Sequence, residues 1–471
     1  MKTPLLTLVL ASCTPAGGDL LSRPHRPASQ APSATVDANE PGEVSLQIAC
    51  TLDSENALRA WCDVVTEPPS AVDLRFWKSD GSGAERVHRG AAGDDRIGLY
   101  IMSADAEYSW EATVPADPGV VATGTFHTEI PPDGATIGAT INGASSADHF
   151  LMASPCLSSG LAVVMTTDGD VVWYQQFSDR GEPLVALSWT EDGTLLGLTI
   201  SEVVEVDWMG SEKFSVLRGT DFTEDIHHDL FKRNGHIYVL FQERAFFFDE
   251  EYIMDGLLVF DPTGAIEATW HLQDVFEPPA PSGRLGAIDY THANALFVAE
   301  DGDILFSMRH LSAVAKLNGD LSSPDFGDIL WRLSGDQDNL DFGSDFEIDE
   351  ALDKGDASFA MQHNVQWLPD GRLALFDNRA ISFQDSRVLV IDIDEGAGVA
   401  DVQDIYQLDQ HCRFQGGAWH TAAGNPVATC APSNEMYEFA PGAFDTPVYD
   451  ARYFCDAGSD AFIPRVIPVI P

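Results

Sequence analysis

Short stretches of alternating apolar and polar residues, separated by polar turns, run along most of this chain. In the first part the alternation is clear at Val72–Trp77 and Tyr108–Val114, and proline and glycine interrupt it at short intervals. A period of two is typical of strands that bury one face, and no helical periodicity accompanies it. The pattern predicts a small β-sandwich of immunoglobulin or fibronectin type over residues 43–132.

A longer unit repeats from residue 135 to residue 471. In each repeat an apolar strand leads through a polar turn to a second strand rich in valine, leucine and isoleucine. Six such hairpins lie at residues 161–173, 184–198, 228–240, 295–306, 365–376 and 416–428. Repeated four-stranded units with inserted loops are typical of a β-propeller, whereas a parallel β-helix has shorter repeats and an α/β barrel has helices between its strands. We therefore predict an all-β protein in which a six-bladed β-propeller follows the sandwich.

The N-terminus has the features of an export signal. Lys2 precedes a short apolar run, and Leu10–Cys13 resembles the bacterial lipobox. That resemblance implies removal of residues 1–12 and acylation of the Cys13 thiol, and the alternative is an ordinary secretion signal with an incidental cysteine. Residues 13–42 are rich in proline, serine, alanine and glycine, which predicts a flexible linker. The expected localisation is that of an exported bacterial lipoprotein, in the periplasm or at the cell surface.

Acidic residues dominate the charge of the chain. It carries 74 Asp+Glu against 26 Lys+Arg, a net charge of −48. Nucleic acids and anionic membrane surfaces attract cationic proteins, so neither is an expected partner. No stretch after the signal approaches the roughly 18 apolar residues of a transmembrane helix. We therefore expect the lipid on Cys13 to be the only membrane attachment.

The seven cysteines suit an oxidising compartment. With Cys13 assigned to the lipid, nearness in sequence favours the pairs Cys50–Cys62 and Cys412–Cys430, each across a predicted hairpin. The remaining pair, Cys156–Cys455, would join the start and the end of the second domain. A cysteine metal site is disfavoured, because the sequence lacks CxxC and HxxxH spacings.

Histidines recur where the first strand of three hairpins begins. The three segments contain His227 and His228, then His292, then His363. In a propeller the first strand of each blade lines the central channel, so these side chains are expected to converge there. Aligning the turns matches His227 with His363, whereas aligning on the residue before Asp229 selects His228. Because neighbours in a strand point to opposite faces, only one of the two is expected to face the channel.

Two further polar side chains accompany His292. Asn294 lies two residues later and so points the same way, and Arg309 lies on the next strand. Arginine offers a planar fork for sulfate or phosphate oxygens, and neutral imidazole is a competent nucleophile. Such a set suits transfer of a sulfuryl or phosphoryl group through a covalent imidazole adduct. Three histidines also suit an open zinc site, but Arg309 would repel the ion, so neither a metal nor a cofactor is expected.

Four segments of this region resemble the bacterial arylsulfate sulfotransferase family. They lie at residues 289–296, 306–317, 328–335 and 362–378, and the likeness covers residues 215–440 well and 150–215 loosely. Members of that family are six-bladed propellers with a small β-sandwich. They move a sulfuryl group from a phenolic sulfate ester to a phenolic acceptor without a nucleotide donor, and some are dimers. The resemblance leaves the oligomeric state and the physiological donor and acceptor of this chain open.

The resemblance also implies roles for individual residues. His363 would carry a transient sulfohistidine. His292, Arg309 and either His227 or His228 would bind the sulfate and act as acid and base. Asn294 matches the family's His-x-Asn pair and would contact the substrate. This chain departs from the family at Asn364, where aspartate often follows the nucleophile.

Other interpretations remain at this point. Phe246, Phe247, Phe248 and Trp419 are candidates for an aromatic acceptor pocket, with a role in the core as the alternative. The chain would otherwise be a non-catalytic, lipid-tethered propeller that binds an anionic ligand or an envelope protein. A third interpretation is a secreted metal-dependent hydrolase or lyase.

Overall fold

The chain folds as a series of β-sheets in a computed structural model that describes residues 33–36, 44–153, 155–156, 160–279, 288–335, 342–349, 358–455 and 463–469. The predicted signal peptide, Cys13 and most of the predicted linker lie outside these residues. Ser33–Val36, which the prediction placed in the flexible linker, instead forms a strand paired with Leu46–Ala49. Within them the chain is all-β, with eight sheets and two short 3-10 turns, at Leu272–Asp274 and Ala431–Ser433. Over the same ranges no helix is long and apolar enough to cross a membrane.

Two four-stranded sheets form the N-terminal part. Their strands are β1 (Ser33–Val36), β2 (Ser45–Leu52), β3 (Ala60–Glu67), β4 (Val72–Lys78), β5 (Arg86–Gly90), β6 (Arg96–Leu99), β7 (Glu107–Val114) and β8 (Asp117–His127). The sheet orders are β1-β2-β3-β6 and β5-β4-β7-β8. Strands β4 and β7 bury alternate residues, as their period of two predicts. The buried residues of both sheets, among them Leu74 and Trp110, share one core.

Six further sheets occupy the rest of the chain. Their first strands in sequence are β9 (Ile137–Gly143), β10 (His149–Ala153), β11 (Leu161–Thr166), β12 (Val171–Gln176), β13 (Ala186–Trp189), β14 (Leu195–Leu198), β15 (Glu202–Val206), β16 (Glu212–Leu217), β17 (Asp225–Arg233), β18 (His236–Phe247), β19 (Glu250–Phe260) and β20 (Ile266–His271). The second and third of these sheets have the simple meander orders β13-β14-β15-β16 and β17-β18-β19-β20.

The remaining strands repeat the same arrangement. They are β21 (Ile288–Asp289), β22 (Ala293–Val298), β23 (Ile304–Met308), β24 (Ala313–Leu317), β25 (Ile329–Ser334), β26 (Glu347–Asp349), β27 (His363–Trp367), β28 (Leu373–Asp377), β29 (Arg387–Asp394), β30 (Val399–Gln407), β31 (Gly417–His420), β32 (Pro426–Cys430), β33 (Glu435–Phe439), β34 (Pro447–Cys455) and β35 (Val466–Val469). The meanders are β22-β23-β24-β25, β27-β28-β29-β30 and β31-β32-β33-β34, and β26 and β9 add a fifth strand to the last two.

One strand of each of the six sheets contacts the corresponding strand of the next sheet. These inner strands are β35, β13, β17, β22, β27 and β31, and the contacts run from each to the next and from the last back to the first. The C-terminal strand β35 supplies the inner strand of the sheet β12-β11-β10-β35. The hairpin predicted at residues 161–173 is therefore the outer pair of its sheet, because the end of the chain takes the inner position.

Hydrogen bonds join the N-terminal sheets to the six that follow. The Asn56 side chain donates to the Tyr174 carbonyl oxygen at 2.8 Å, and the Tyr174 hydroxyl accepts the backbone N–H of Ala57 at 2.9 Å. The rings of Tyr100 and Trp208 stack with centroids 5.7 Å apart. These contacts combine buried polar groups with aromatic area, so the two parts of the chain are packed together over the described residues.

All three predicted disulfides are confirmed. Cys50–Cys62 links β2 to β3, Cys412–Cys430 ties a loop to β32, and Cys156–Cys455 spans a sequence separation of 299 residues. The last bond closes the longest loop, and a cross-link of this kind stabilises a fold chiefly by restricting the unfolded chain.

Candidate active site

Three consecutive inner strands, β17, β22 and β27, begin with irregular backbone. His228, His292 and Asn364 have positive φ angles of 58°, 49° and 48°. The register with the second strand of the sheet shifts around His228 and Asn364 and, for His292, just after it, between Ala293 and Ala295. Left-handed backbone is unfavourable for residues other than glycine and concentrates at functional sites. The fold thus holds a strained residue at one common point of three neighbouring sheets.

These bulges decide which side chains come together. His363 immediately precedes the left-handed Asn364, just as His227 precedes the left-handed His228, so the backbone makes His227 and His363 equivalent. Regular alternation fails at a bulge, because the extra residue re-aims the side chains around it. As a result the Nδ1 atoms of His227 and His228 lie 2.6 Å apart. The expectation that these two histidines occupy opposite faces of the strand is therefore wrong.

His363 is the first residue of β27 and is almost buried, with 4% of its surface exposed. Its Nδ1 lies 2.7 Å from Oδ1 of Asn378. The amide nitrogen of Asn378 donates to the carbonyl oxygens of Cys412 and Gln415, each at 2.7 Å. The amide oxygen of Asn378 must therefore be the acceptor, and Nδ1 of His363 carries the proton. This tautomer leaves the lone pair on Nε2 of His363.

The environment of His363 favours its neutral form. Burial lowers the pKa of His363 to about 3, and the charges of Arg309, Arg465 and His292 act in the same direction. The hydrogen bond with Asn378 opposes this shift without cancelling it. A neutral imidazole with one free nitrogen is the form of histidine that attacks an electrophile.

His292 has a different partner, the carboxylate of Asp289. Nδ1 of His292 lies 2.7 Å from Oδ2 of Asp289, and its ring stacks on His310 with centroids 4.5 Å apart. Nδ1 of His310 donates to the Asp289 carbonyl oxygen at 2.9 Å. Burial alone would raise the pKa of Asp289, but the hydrogen bond and charge of His292, with the charge of His310, lower it. Burial, reinforced by the charge of His292, lowers the pKa of His310. The Asp289 carboxylate thus places a negative charge beside both rings.

His228 lies between two other imidazoles. Its ring centroid is 4.8 Å from that of His227 and 4.8 Å from that of His292. Burial lowers the pKa of His228 well below its usual value, and His227, His292, His363 and Arg465 lower it further. His228 is therefore poorly suited to holding a positive charge of its own.

His227 faces a buried carboxylate on the other side. Its Nε2 lies 3.1 Å from Oδ1 of Asp255, which is 2% exposed. The N–H of Nε2 is not aligned with this oxygen, so the contact is an ion-pair distance rather than a full hydrogen bond. Asp255, on β19, is a residue of the cluster that the sequence analysis missed.

Arg309 brings a cation to the same cluster. Its backbone N–H donates to the carbonyl oxygen of His292 at 3.1 Å, which fixes the two residues side by side. Burial lowers the pKa of Arg309, as does the nearby Arg413, and the charge of Asp289 opposes the shift. Among the described residues the guanidinium of Arg309 forms no hydrogen bond or ion pair. Its planar fork is thus available for an oxyanion.

Asn294 lies behind the histidines. It is completely buried, its Nδ2 donates to the Gln362 carbonyl oxygen at 2.7 Å, and its Oδ1 accepts the Ser307 hydroxyl at 3.0 Å. Both ends of the amide are therefore engaged by the protein in this arrangement. The bond to Gln362 places Asn294 directly under the backbone that carries His363.

Arg465 is a second residue that sequence reasoning missed. It immediately precedes the inner strand β35, and its Nη1 lies 2.5 Å from Oδ1 of Asp229. Its Nη2 donates to the Asn294 carbonyl oxygen at 3.1 Å, and its charge acts on both His228 and His363. In the sequence, Arg465 precedes only a short apolar run near the C-terminus. No predicted hairpin includes it, so its place in the cluster could not be predicted.

The donor atoms of Asp289, His292 and His310 lie within 4.8 Å of one another, a spacing that could hold a metal ion. However, Asp289 already hydrogen-bonds to both imidazoles, and Arg309 is adjacent in sequence to His310. A divalent ion would break those bonds and meet the repulsion of the guanidinium. The group therefore fits a carboxylate-balanced imidazole pair better than a metal centre.

The candidate aromatic residues separate into two kinds. Phe246 and Phe248 are 73% and 53% exposed at the tip of the β18–β19 hairpin. Phe247 packs on Tyr252 with ring centroids 5.6 Å apart, and Trp419 is half-buried between two core clusters. The first two are thus surface side chains, and the last two contribute to packing.

The sequence and the structure were compared with known proteins. The family model described as arylsulfotransferase (ASST) matches residues 144–411. No curated protein matches the chain. Among solved structures, a protein of unknown function from Bacteroides caccae is 10% identical with a TM-score of 0.42, covering 69% of this chain and 100% of its own. A catalytically inactive virginiamycin B lyase from Staphylococcus aureus with quinupristin is 10% identical with a TM-score of 0.37, covering 65% and 87%.

A third solved structure is the PQQ-bound aldose sugar dehydrogenase from Streptomyces coelicolor. It is 11% identical with a TM-score of 0.33, and the alignment covers 72% of this chain and 90% of that one. These three likenesses are too low in TM-score to bear on the chemistry of the site.

Proposed function

This chain belongs to the arylsulfotransferase (ASST) family, and on that premise we propose that it moves a sulfuryl group from a phenolic sulfate ester to a phenolic acceptor through a sulfohistidine at His363. Family membership makes the protein an aryl-sulfate sulfotransferase, a transferase that acts on phenolic substrates. The observation that carries the rest is the bond between His363 and Asn378. It fixes a neutral imidazole whose Nε2 lone pair can attack sulfur.

The donor half of the reaction forms one bond and breaks another. Nε2 of His363 attacks the sulfur atom, and the bond from sulfur to the aryl oxygen breaks. The leaving electron pair stays on the phenolate oxygen, which takes a proton from His228, His227 or His292. The phenol then leaves, and the sulfuryl group remains on His363.

The acceptor half runs the same steps in reverse. The oxygen of the acceptor phenol attacks sulfur, the bond from sulfur to Nε2 of His363 breaks, and the phenolic proton returns to the histidine that gave one up. The order of events is ping-pong, because one product leaves before the second substrate reacts.

Cationic groups stabilise the transferring sulfuryl group. The unpaired fork of Arg309 would bind two of its oxygens, and His292, balanced by Asp289, would approach a third. Asn294 would help to position His363, because its side chain donates to the carbonyl oxygen of the preceding residue, Gln362. Direct contact of Asn294 with the substrate stays a prediction.

The arrangement of the sheets explains how these residues come together. We interpret the ring of six inner strands as the channel of a six-bladed β-propeller over residues 135–471, and the two N-terminal sheets as a β-sandwich over residues 43–132. The ring of contacts between inner strands supports the first interpretation. The shared core of the two N-terminal sheets supports the second.

Export and attachment belong to the proposal as well. Lipidation of Cys13 after removal of residues 1–12, with the part of the predicted linker before β1 as a tether, would place the enzyme in the periplasm or at the cell surface. The three disulfides are consistent with an oxidising compartment.

The test uses the purified protein and 4-nitrophenyl sulfate, whose phenol is coloured when released. We expect release that depends on added phenol, formation of phenyl sulfate, and an acid-labile sulfuryl adduct at His363 when the acceptor is omitted. His363→Ala should abolish transfer, while His236→Ala, at a histidine outside the cluster, should leave it unchanged. No phenol-dependent release by the wild type would exclude the proposal and favour a binding protein. Full activity in His363→Ala would exclude His363 as the nucleophile.

A further inference from the structure

A chain of three ionisable side chains leads from the interior to the histidine cluster. It begins at Asp255, on the second outermost strand of the third sheet, β19. Oδ2 of Asp255 accepts the backbone N–H of Ala293 at 2.7 Å and the hydroxyl of Thr291. Both donors belong to the segment that carries His292. Its other oxygen, Oδ1, faces Nε2 of His227 at 3.1 Å.

The second link joins the two adjacent histidines. Nδ1 of His227 and Nδ1 of His228 are 2.6 Å apart. Two lone pairs, or two N–H groups, would repel each other at this distance, so one proton must lie between the two nitrogens. The left-handed backbone of His228 makes the contact possible, because a regular strand would separate these neighbours.

We propose that Asp255, His227 and His228 form a proton relay whose outer atom, Nε2 of His228, protonates the leaving phenolate and takes the proton back from the acceptor phenol. The inference deepens the proposed function, on which it rests, and identifies which histidine is the acid and base. His228 is the group that touches the substrate. His227 and Asp255 are positioning residues that act through it.

The proton balance of the relay closes over one catalytic cycle. Before donor cleavage His227 holds protons on both nitrogens, and His228 holds one on Nε2. When the bond from sulfur to oxygen breaks, the Nε2 proton of His228 passes to the phenolate, and the shared proton moves from His227 to Nδ1 of His228. Each imidazole is then neutral. The acceptor phenol restores the first state by giving its proton to Nε2 of His228.

The relay keeps the positive charge away from His228. His228 carries a single proton in both states, and in the first state the positive charge resides on His227, next to the carboxylate of Asp255. This arrangement suits the groups that face His228, namely His227, His292, His363 and Arg465, since burial and these neighbours lower its pKa. A lone His228 would have to become cationic among other cations.

His292 is the competing acid. It also pairs with a carboxylate, Asp289, but its ring stacks on His310 and lies beside the unpaired cation Arg309. Those neighbours favour a role in holding the anion. The two carboxylates, Asp255 and Asp289, therefore offer a direct comparison by amide substitution.

The experiment compares two donors in single-turnover reactions of the full chain. Phenyl sulfate releases a phenol with a pKa of about 10, like that of tyrosine, and needs the acid more than 4-nitrophenyl sulfate does. We expect Asp255→Asn and His227→Gln to slow cleavage of phenyl sulfate about 10- to 100-fold. Cleavage of 4-nitrophenyl sulfate should fall by no more than a few-fold. The pH profile with phenyl sulfate should also lose its alkaline limb.

Glu267→Gln provides the matched control. Glu267 lies 2.6 Å from Nε2 of His236 on the same sheet, outside the cluster, so its substitution should change neither donor's rate. Equal losses with both donors in Asp255→Asn and His227→Gln would overturn the relay. So would a selective loss in Asp289→Asn with no such loss in Asp255→Asn, which would make His292 the acid.

The experiment distinguishes failure of the relay from failure of the proposed sulfotransferase function. If the wild type transfers from neither donor, the proposed function fails. If it transfers from both and the variants show no selectivity, only the relay fails. Thermal melting identifies a variant that has lost its fold, and His227→Gln, which leaves the bonds of Asp255 to Thr291 and Ala293 in place, then decides the question.

Discussion

His363 begins the inner strand β27 and His292 immediately precedes the neighbouring inner strand β22, yet their Nδ1 atoms meet different partners. Nδ1 of His363 lies 2.7 Å from the amide oxygen of Asn378, and Nδ1 of His292 lies 2.7 Å from the carboxylate of Asp289. The first ring is buried, with 4% of the residue exposed, whereas 29% of the His292 side chain is exposed. An amide in a buried site supports a neutral imidazole, whereas a carboxylate places a negative charge beside the ring.

The difference shows how one repeated fold can provide two chemical roles. Both strands carry a left-handed residue near the cluster, but His292 is itself that residue, whereas His363 immediately precedes it. We expect the partner at Nδ1 to decide which proposed role, nucleophile or anion binding, each ring performs. The first role requires an uncharged partner that only fixes the tautomer. The second requires a partner that balances charge.

The largest expected effect comes from removing Arg309, whose backbone bonds to His292 and whose charge acts on His363. Arg309→Ala deletes the fork for the sulfuryl oxygens, and we expect kcat to fall about 100- to 1,000-fold, as for loss of one oxyanion-stabilising group. Arg309→Lys should recover part of the rate, because it keeps the charge and loses the bidentate geometry. The measurement is the rate of 4-nitrophenol release with saturating donor and phenol.

Arg413→Ala is the control for charge alone. Arg413 is exposed, and its charge acts on Arg309. A loss in Arg413→Ala as large as that in Arg309→Ala would mean that the general field of the site, and not the fork, stabilises the transferring group.

The second prediction makes His363 resemble His292. Asn378→Asp places a carboxylate at Nδ1, and such a neighbour raises an imidazole pKa by about one to three units. From its value of about 3, His363 then stays mainly neutral at pH 7 but becomes protonated near pH 5, where the lone pair on Nε2 is lost. We expect the rate at pH 5 to fall up to about 10-fold and to recover as the pH rises above the new pKa. The wild type should instead stay active well below the ordinary histidine pKa of about 6.5, since its own value is lowered. A loss that persists at every pH would point to disruption of the loop at Cys412 and Gln415.

The sequence predicted those parts of the site that depend on short, local patterns. His363, His292 and Arg309 lie in hairpins whose turns and apolar runs are contiguous, so their place at the start of an inner strand or on the next strand could be read directly. The three disulfides followed from proximity and from the need to join the ends of one domain. These inferences depend on residues that are near in sequence. The exception is the pair Cys156–Cys455, which remained after the other cysteines were assigned.

The missed residues share a different property. Asp255 reaches His227 from another strand of its sheet, and Arg465 reaches the cluster because the C-terminal strand β35 completes the sheet begun by β10. The left-handed conformation of His228 was also invisible, because histidine carries no local signal for positive φ as glycine does. Strand alternation therefore gave the wrong answer for His227 and His228, and only the tertiary arrangement corrects it.

A smaller effect is expected on the His292 side. Asp289→Asn removes the charge that balances His292 and His310, while an amide can still accept a hydrogen bond. We expect KM for the aryl sulfate to rise about three- to ten-fold with kcat changed less, because binding of the anion weakens more than the chemical step. A fall in kcat equal to that in Asn378→Asp would erase the distinction between the two histidines.

The smallest expected effect is on the free energy of unfolding. It tests whether a lowered histidine pKa reflects burial alone or the catalytic site. His149 is far in sequence from the cluster, yet burial, reinforced by the Arg86 cation, lowers its pKa to about 4, the same direction as for His363. A histidine with a lowered pKa in the folded state binds fewer protons than in the unfolded state, so stability falls as the pH drops below about 6.5. At pH 5 this amounts to about 2 kcal/mol for such a group.

His149→Gln should therefore lose less stability between about pH 7.5 and about pH 5 than the wild type does, by up to about 2 kcal/mol in urea unfolding, while its transfer activity is retained. His363→Gln should show the same reduced pH dependence and no activity. If only His363→Gln changes the pH dependence, the low pKa at the site would arise from its cationic neighbours, Arg309 and Arg465, and not from burial. If both do, burial is the general cause, and the features that set apart His363, the proposed nucleophile, are the amide of Asn378 and the charge of Arg309.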